Sequence, residues 1–301
     1  MSFIKKIFTK KKSQHVHDFT QIMQKKEHCF AFLPDDFYQD FEIVSYLVNW
    51  NELFSNITVF TSDYNHVFCS KLINTGKISF RIFKPGQPLF NESVILNFSD
   101  SKEIQKYVAR NQNSTIADIN NLSNIQFLPL PKNANELITK FAQFYNLPLQ
   151  KNELNIELTQ AEKEILNNRF IQNRFHNFVF DCDKKLSAKV MESYVKTIKQ
   201  NFSANVYLTD KVFNSLEMIN IKEMPIHNLY ELFCIASVCD LYITNKPELA
   251  RLFGELGIFV LFLGEEINMK NVRCAQTKEL FIVKNIIQKH LKEKESNQTS
   301  D

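Results

Sequence analysis

Asn228-Leu-Tyr-Glu-Leu-Phe-Cys-Ile-Ala-Ser-Val-Cys-Asp-Leu-Tyr-Ile-Thr-Asn245 runs directly into Lys246-Pro-Glu-Leu-Ala-Arg-Leu-Phe-Gly-Glu-Leu-Gly257 and Ile258-Phe-Val-Leu-Phe-Leu-Gly264. Apolar spacing predicts a helix from Asn228 to Ser237, a strand from Leu241 to Thr244, a helix from Pro247 to Leu256 and a strand from Ile258 to Leu263. Proline suits the first position of the second helix, because its missing N–H is one that a helix start leaves unpaired. Strand and helix in alternation are the repeat of a parallel sheet covered on both faces.

The same alternation extends outward from this stretch. Upstream lie a strand at Asn177–Phe180, a helix at Ala188–Gln200 and a strand at Asn205–Leu208. Downstream, Glu279–Val283 reads as a strand leading into a closing helix. Near the beginning, a strand at Cys29–Leu33 is followed by a polar loop, Pro34–Asp40, and a helix at Phe41–Leu53. Strands follow at Asn56–Ser62, bounded by the turn formers Asp63 and Asn65, then at Lys77–Phe83, Ser93–Phe98, Ser114–Asp118 and Ile125–Leu130. Helices are predicted at Lys102–Arg110 and Asn133–Tyr145. The alternation stops in the polar, helical segment Leu147–Arg174, where Thr159-Gln-Ala-Glu is a helix-start signature. The expectation is therefore an α/β protein of two Rossmann-like domains facing across a cleft. It comprises a basic tail (1–25), a first domain (26–155), a second (156–291) and a disordered charged tail (292–301).

Composition narrows the function classes. The chain has 301 residues, 44% hydrophobic and 23% charged, with 28 phenylalanines, which is ample apolar area for two cores. A net charge of +3 without an aromatic-interleaved basic stripe argues against nucleic acid as a partner. Six scattered cysteines, with no Cys-x-x-Cys, read as reduced and buried thiols; no metal site and no cofactor is expected. No apolar run reaches the roughly 18 residues of a membrane span, and the N-terminus lacks the apolar core of a signal peptide. Phe3, Ile4, Ile7 and Phe8 could share a helical face among Lys5, Lys6, Lys10, Lys11 and Lys12, the pattern of a membrane-surface contact; a solvated tail is the competing reading. His176, His227 and Trp50, the single tryptophan, read as capping or core residues.

The stretch from Asn228 to Gly264 resembles the ADP-heptose:lipopolysaccharide heptosyltransferases, glycosyltransferase family 9, whose fold is of the GT-B type. That family carries a helix, a strand, an Asp-Thr/Ser-Gly-x-x-His-Leu-Ala turn and helix, a Gly, and a strand closing on Phe-Gly. Leu252, Gly257 and Leu263-Gly264 stand at the matching places without a gap. The motif's Asp, Thr and Gly are replaced by Lys246, Pro247 and Glu248, and its His by Arg251. At such a helix start, backbone N–H groups and the dipole would receive the donor's phosphates. Glu248 opposes a diphosphate there, Pro247 removes one donor, and Lys246 and Arg251 offer compensating positive charge.

Cys29 to about Leu149 is similar to the family's first domain, more weakly. The resemblance implies a base on the loop after the first strand, and Asp40 stands at that position, with Asp35 and Asp36 as alternatives; all three also suit turns or helix caps. In the second half, Phe178-Val-Phe-Asp-Cys-Asp-Lys-Lys-Leu resembles the strand and loop that carry the family's phosphate-binding lysine, so Lys184 or Lys185 would hold it, unless the pair is simply solvated. The donor-side candidates are therefore Lys184, Lys185, Lys246, Glu248, Arg251 and Gly264. The resemblance implies a metal-independent, inverting sugar transferase of lipopolysaccharide or surface-glycan biosynthesis. Its partners would be a nucleotide sugar and a glycolipid acceptor, and it would be cytoplasmic, with a peripheral contact to the inner membrane. The rewritten motif implies impaired or altered donor binding, or a non-catalytic binding or assembly partner of the same fold.

Overall fold

The computed structural model describes residues 28–73, 76–88, 93–111, 113–119, 134–170, 175–183, 186–209, 221–276 and 280–298. Two compact units divide between Asn155 and Ile156. The first contains β1 (His28–Phe32), α1 (Phe37–Trp50), β2 (Asn56–Thr61), α2 (Asp63–Leu72), β3 (Ile78–Ile82), β4 (Val94–Asn97), α3 (Lys102–Ala109), β5 (Thr115–Asp118) and α4 (Ala134–Tyr145). The second contains α5 (Gln160–Phe170), β6 (His176–Asp181), α6 (Ala188–Asn201), β7 (Ala204–Leu208), β8 (Ile221–Glu223), α7 (Leu229–Val238), β9 (Leu241–Thr244), α8 (Pro247–Glu255), β10 (Val260–Phe262), β11 (Val272–Cys274) and α9 (Leu280–Gln298).

Each unit is built on its own sheet, and every strand pair in both is parallel. The orders are β3-β2-β1-β4-β5 and β11-β10-β9-β6-β7-β8. Both are doubly wound, so each has a topological switch point: between β1 and β4 in the first, between β6 and β9 in the second. The expected two Rossmann-like units are present.

Phenylalanine does much of the packing. Phe32 stacks on Phe60 at 4.9 Å, inside a cluster with Ile95, Tyr107 and Val108. Trp50 is fully buried between Phe98 and Phe141, at 6.2 and 6.3 Å. Its indole N–H donates to the Pro148 carbonyl at 2.8 Å. The chain leaving α4 lies along α1 at this point, held also by Asn49 Nδ2 to the Gln150 carbonyl, Asn152 N–H to the Ser45 carbonyl, and Lys151 Nζ to Glu42 Oε1 at 2.8 Å. Asn146, at φ +55, ends α4 in the left-handed conformation, and Leu147 N–H closes back on the Ala142 carbonyl.

Several elements differ from the sequence expectation. Pro34–Asp40 is only partly loop: Asp36 Oδ1 accepts the Gln39 N–H at 2.8 Å, which starts α1 at Phe37 and puts Asp40 in its first turn. Asp63 and Asn65 form no turn, because Ser62 caps α2. From Leu280 onward, the run expected as a strand is helix. Leu280 begins α9, and Val283, Ile287 and Leu291 are buried at a helical spacing of four. The charged end is not a free tail as far as Gln298, since Lys294 reaches Asp240 Oδ1 at 2.6 Å and holds that helix down. The short strands β8 and β11 carry too few residues for a periodicity to register. The strand expected at Ile125–Leu130, the basic N-terminus, and Lys184 and Lys185 lie outside the described residues.

Candidate functional site

In doubly wound sheets a ligand sits outside the carboxyl ends of the strands at the switch point. In the second unit those ends are Asp181 on β6 and Thr244 on β9, paired across the sheet. Both are buried. Asp181 Oδ1 accepts from Thr209 Oγ1 at 2.6 Å and from Lys246 Nζ at 2.8 Å, and Oδ2 accepts from Tyr242 Oη at 2.7 Å. Its carbonyl accepts from Thr244 Oγ1 at 2.7 Å, and that hydroxyl in turn accepts the Lys246 N–H at 3.0 Å. Just beyond the strand ends, Asp183 and Asn245 exchange two bonds: Asp183 N–H to Asn245 Oδ1 at 2.9 Å, and Asn245 Nδ2 to Asp183 Oδ1 at 2.8 Å. The loops that follow β6 and β9 are therefore stitched together by side chains over the switch point.

The candidate donor residues have distinct fates around this network. Lys246 is the N-cap of α8 but makes no side-chain cap; its ammonium turns to Asp181. Pro247 is exposed and Glu248 is half-buried in the first turn, while Arg251 is exposed one turn later. Gly264 lies two residues past the end of β10, and a Cβ there would come within 2.5 Å of the Phe262 ring. At the other end of α8, Gly257 at φ +84 closes the helix, with Ile258 N–H returning to the Phe253 carbonyl. Burial, with Asp181 beside them, raises the Tyr242 hydroxyl and the Cys182 thiol well above their ordinary pKa, so neither ionises near neutrality. The role of Asp181, Thr209 and Tyr242 escaped sequence reading; the only signal was a carboxylate ending an otherwise apolar strand, Phe178 to Asp181.

Two concavities flank the second sheet. One, of about 440 Å³, lies past the ends of β10 and β11 and includes Gly264, Glu265 and Cys274. The larger, about 970 Å³, is at the opposite, amino ends of β9 and β10, where α7 and α8 end; Asp240, Gly257, His290 and Lys294 line it. Lys294 is held there by the Asp240 carboxylate, and His290 Nε2 by the Asp240 carbonyl at 3.0 Å. The larger hollow is thus on the wrong side of the sheet for the fold's usual ligand, and the switch point remains the better site.

In the first unit, Asp40 is 1% exposed. Its Oδ1 accepts the Asp35 N–H at 3.2 Å and its Oδ2 accepts from Asn65 Nδ2 at 2.9 Å. Burial pushes its carboxyl from 3.8 up to about 8; the Asn65 hydrogen bond opposes this and the nearby Asp35 and Asp36 add to it. Such a group holds its proton at neutrality and is shielded from solvent. Asp35 is exposed with φ +67, a left-handed position that glycine usually fills, and Asp36 is occupied as the α1 cap. Of the three, Asp40 is the buried carboxyl and Asp35 the exposed one. Among the described residues no group of three or more His, Cys, Asp or Glu could hold a metal ion, and no helix is long and apolar enough to cross a membrane.

No protein-family model and no curated protein sequence matches the chain. Solved structures do. The chain is similar to E. coli ADP-heptose LPS heptosyltransferase II, with a TM-score of 0.61 and 11% identity over 89% of this chain and 99% of that one. It is also similar to E. coli heptosyltransferase WaaC with ADP, with a TM-score of 0.57 and 8% identity over 88% and 100%. A third likeness is to a glycosyl transferase family 9 protein from Veillonella parvula, with a TM-score of 0.51 and 10% identity over 87% and 89%. The fold is the GT-B fold of the heptosyltransferases, across nearly the full length of those proteins.

Proposed function

We propose that the chain is a heptosyltransferase-like protein of lipopolysaccharide or surface-glycan biosynthesis whose donor binding is impaired. One observation carries this: Lys246, the cation at the start of α8, is bound to Asp181 and so is not presented to a phosphate. Glu248 in the same turn adds a negative charge where a diphosphate would approach. The natural partners in this reading are a nucleotide sugar, held weakly, and a glycolipid acceptor, met at the cytoplasmic face of the inner membrane with help from the basic N-terminus. Lys184 and Lys185 are the remaining candidate phosphate ligands, with Arg251.

Isothermal titration of the full chain with ADP-, UDP- and GDP-sugars tests it. Little heat is expected from the unmodified protein. Pro247→Thr with Glu248→Gly, which restores the N–H donor and removes the opposing charge while leaving the Lys246–Asp181 pair intact, should gain affinity. Micromolar binding by the unmodified chain, about −8 kcal/mol, would sink the reading.

A second reading, a non-catalytic binding or assembly partner of the same fold, is favoured by the state of Asp40. A base must reach the proton that it takes, and this carboxyl is buried with both oxygens engaged inside its own unit. If any transferase activity is measured, Asp40→Asn that leaves the rate unchanged would exclude Asp40 as the base and turn attention to Asp35.

A further inference from the structure

Helix α9 presents to solvent a face that its own unit does not use. Val283, Ile287 and Leu291 are buried in the core that α9 shares with α6. On the opposite side Phe281 is 74% exposed and Ile282 40% exposed, the most exposed adjacent apolar pair among the described residues. By helical spacing Lys292, eleven residues on from Phe281, and Lys289, seven on from Ile282, share that outward face with Asn285, Gln288 and Glu295; all are exposed, and Lys289 Nζ lies 3.9 Å from Glu293 Oε1, a loose surface pair that an anionic headgroup can replace. Lys189 opens the neighbouring α6 and is exposed as well.

Charge says what kind of surface this face fits. Lys294 turns inward to Asp240. Without it, α6 and α9 carry six lysines against three glutamates, a surplus as large as the +3 of the whole 301-residue chain. An aromatic and a branched aliphatic side chain at one end of a lysine-bearing face are the constituents of an interfacial helix, which seats apolar groups at the headgroup boundary while its lysines meet anionic headgroups.

We propose that the outward face of α6 and α9 is a docking surface for an anionic lipid bilayer, with Phe281 and Ile282 as the inserted pair and Lys189, Lys289 and Lys292 as headgroup contacts. This deepens the membrane-contact part of the proposed function and moves it from the N-terminal tail onto the second unit; it does not depend on whether a donor binds.

Co-sedimentation of the full chain with phosphatidylglycerol-containing vesicles, against pure phosphatidylcholine, is the test. The unmodified chain should partition to the anionic vesicles and be released by salt. Phe281→Ser with Ile282→Ser should lower the partition coefficient about tenfold with no change in melting temperature, and Lys289→Gln with Lys292→Gln should lower it about fivefold or more. Replacing Lys10, Lys11 and Lys12 by Gln separates the tail from this face: the effect of the Phe281 and Ile282 substitutions should persist in that background. No partition of the unmodified chain, or partition that is indifferent to Phe281 and Ile282, overturns the proposal. So does elution as a dimer that these two substitutions convert to monomer, which would assign the face to a second copy.

Discussion

Lys246 Nζ lies 2.8 Å from Asp181 Oδ1; Asp181 ends β6, and Lys246 caps α8 two residues past the end of the neighbouring β9, across the switch point. Asp181 is buried and Lys246 is about a quarter exposed, so the pair is neither a surface bridge nor a fully enclosed one. Taking away the cation leaves a buried carboxylate with only hydroxyl donors. Lys246→Met should therefore destabilise the second unit by about 2 kcal/mol, below the 3–5 kcal/mol of an enclosed pair because solvent screens the lysine. Adding Asp181→Asn should recover part of the loss. Urea unfolding curves measure both; an unchanged midpoint for Lys246→Met would mean that the lysine is free to serve a ligand.

Asp40 makes a prediction about pH. Its folded carboxyl titrates at about 8, well above the ordinary 3.8. Below pH 4 both folded and unfolded forms are protonated and burial costs nothing in charge. Between pH 4 and 8 the unfolded chain releases the proton and the folded one keeps it, so stability falls as pH rises and levels off above 8. Asp40→Asn removes this dependence. Asn65 can turn its amide to meet the new one, since Asn65 Oδ1 has no other hydrogen-bond partner to lose. The variant should melt close to the parent at pH 4 and several degrees higher at pH 8. A difference that shrinks with rising pH would contradict the burial of this carboxyl.

Gly254 sits inside α8, where alanine ordinarily helps a helix by about 1 kcal/mol. Here a Cβ would come within 2.5 Å of Val272 Cγ2 on β11, a short branched side chain with little room to yield. The overpacking, roughly 1–3 kcal/mol, exceeds the propensity gain. Gly254→Ala should lower the melting temperature. Gly257→Ala, at φ +84 with open space around it, should cost about 1 kcal/mol for backbone reasons alone. A stabilised Gly254→Ala would show that β11 does not lie against α8 as described.

Much of this fold was legible because its helices and central strands are long enough to display a period. Leu241–Thr244 and Pro247 as a helix start were read where they occur, and Thr159-Gln-Ala-Glu does cap α5, with Glu162 Oε2 accepting the Thr159 N–H at 2.8 Å. Misreadings fell where a local signal competed with a longer one. Asp63 and Asn65 look like turn residues until Ser62 is recognised as the cap, and the apolar run at 279–283 looks like a strand until the buried positions at Val283, Ile287 and Leu291 are taken together. The site was less legible. That Lys246 would turn to Asp181, 65 residues earlier in the chain, depends on two strands being neighbours in space, which no local pattern encodes.

Trp50 is the single indole in 301 residues, and it is enclosed by Phe98 and Phe141 in the first unit, with its N–H on the chain that leads out of that unit. Its emission therefore reports on one half of the protein and is blind to the other. If the two units melt separately, fluorescence and circular dichroism will trace different denaturation curves, and the offset between them will be a direct measure of how far each half relies on the other for its stability. A substitution on α8 or α9 should then leave the optical transition in place while moving the dichroic one, giving every variant above an internal control for where its damage lies.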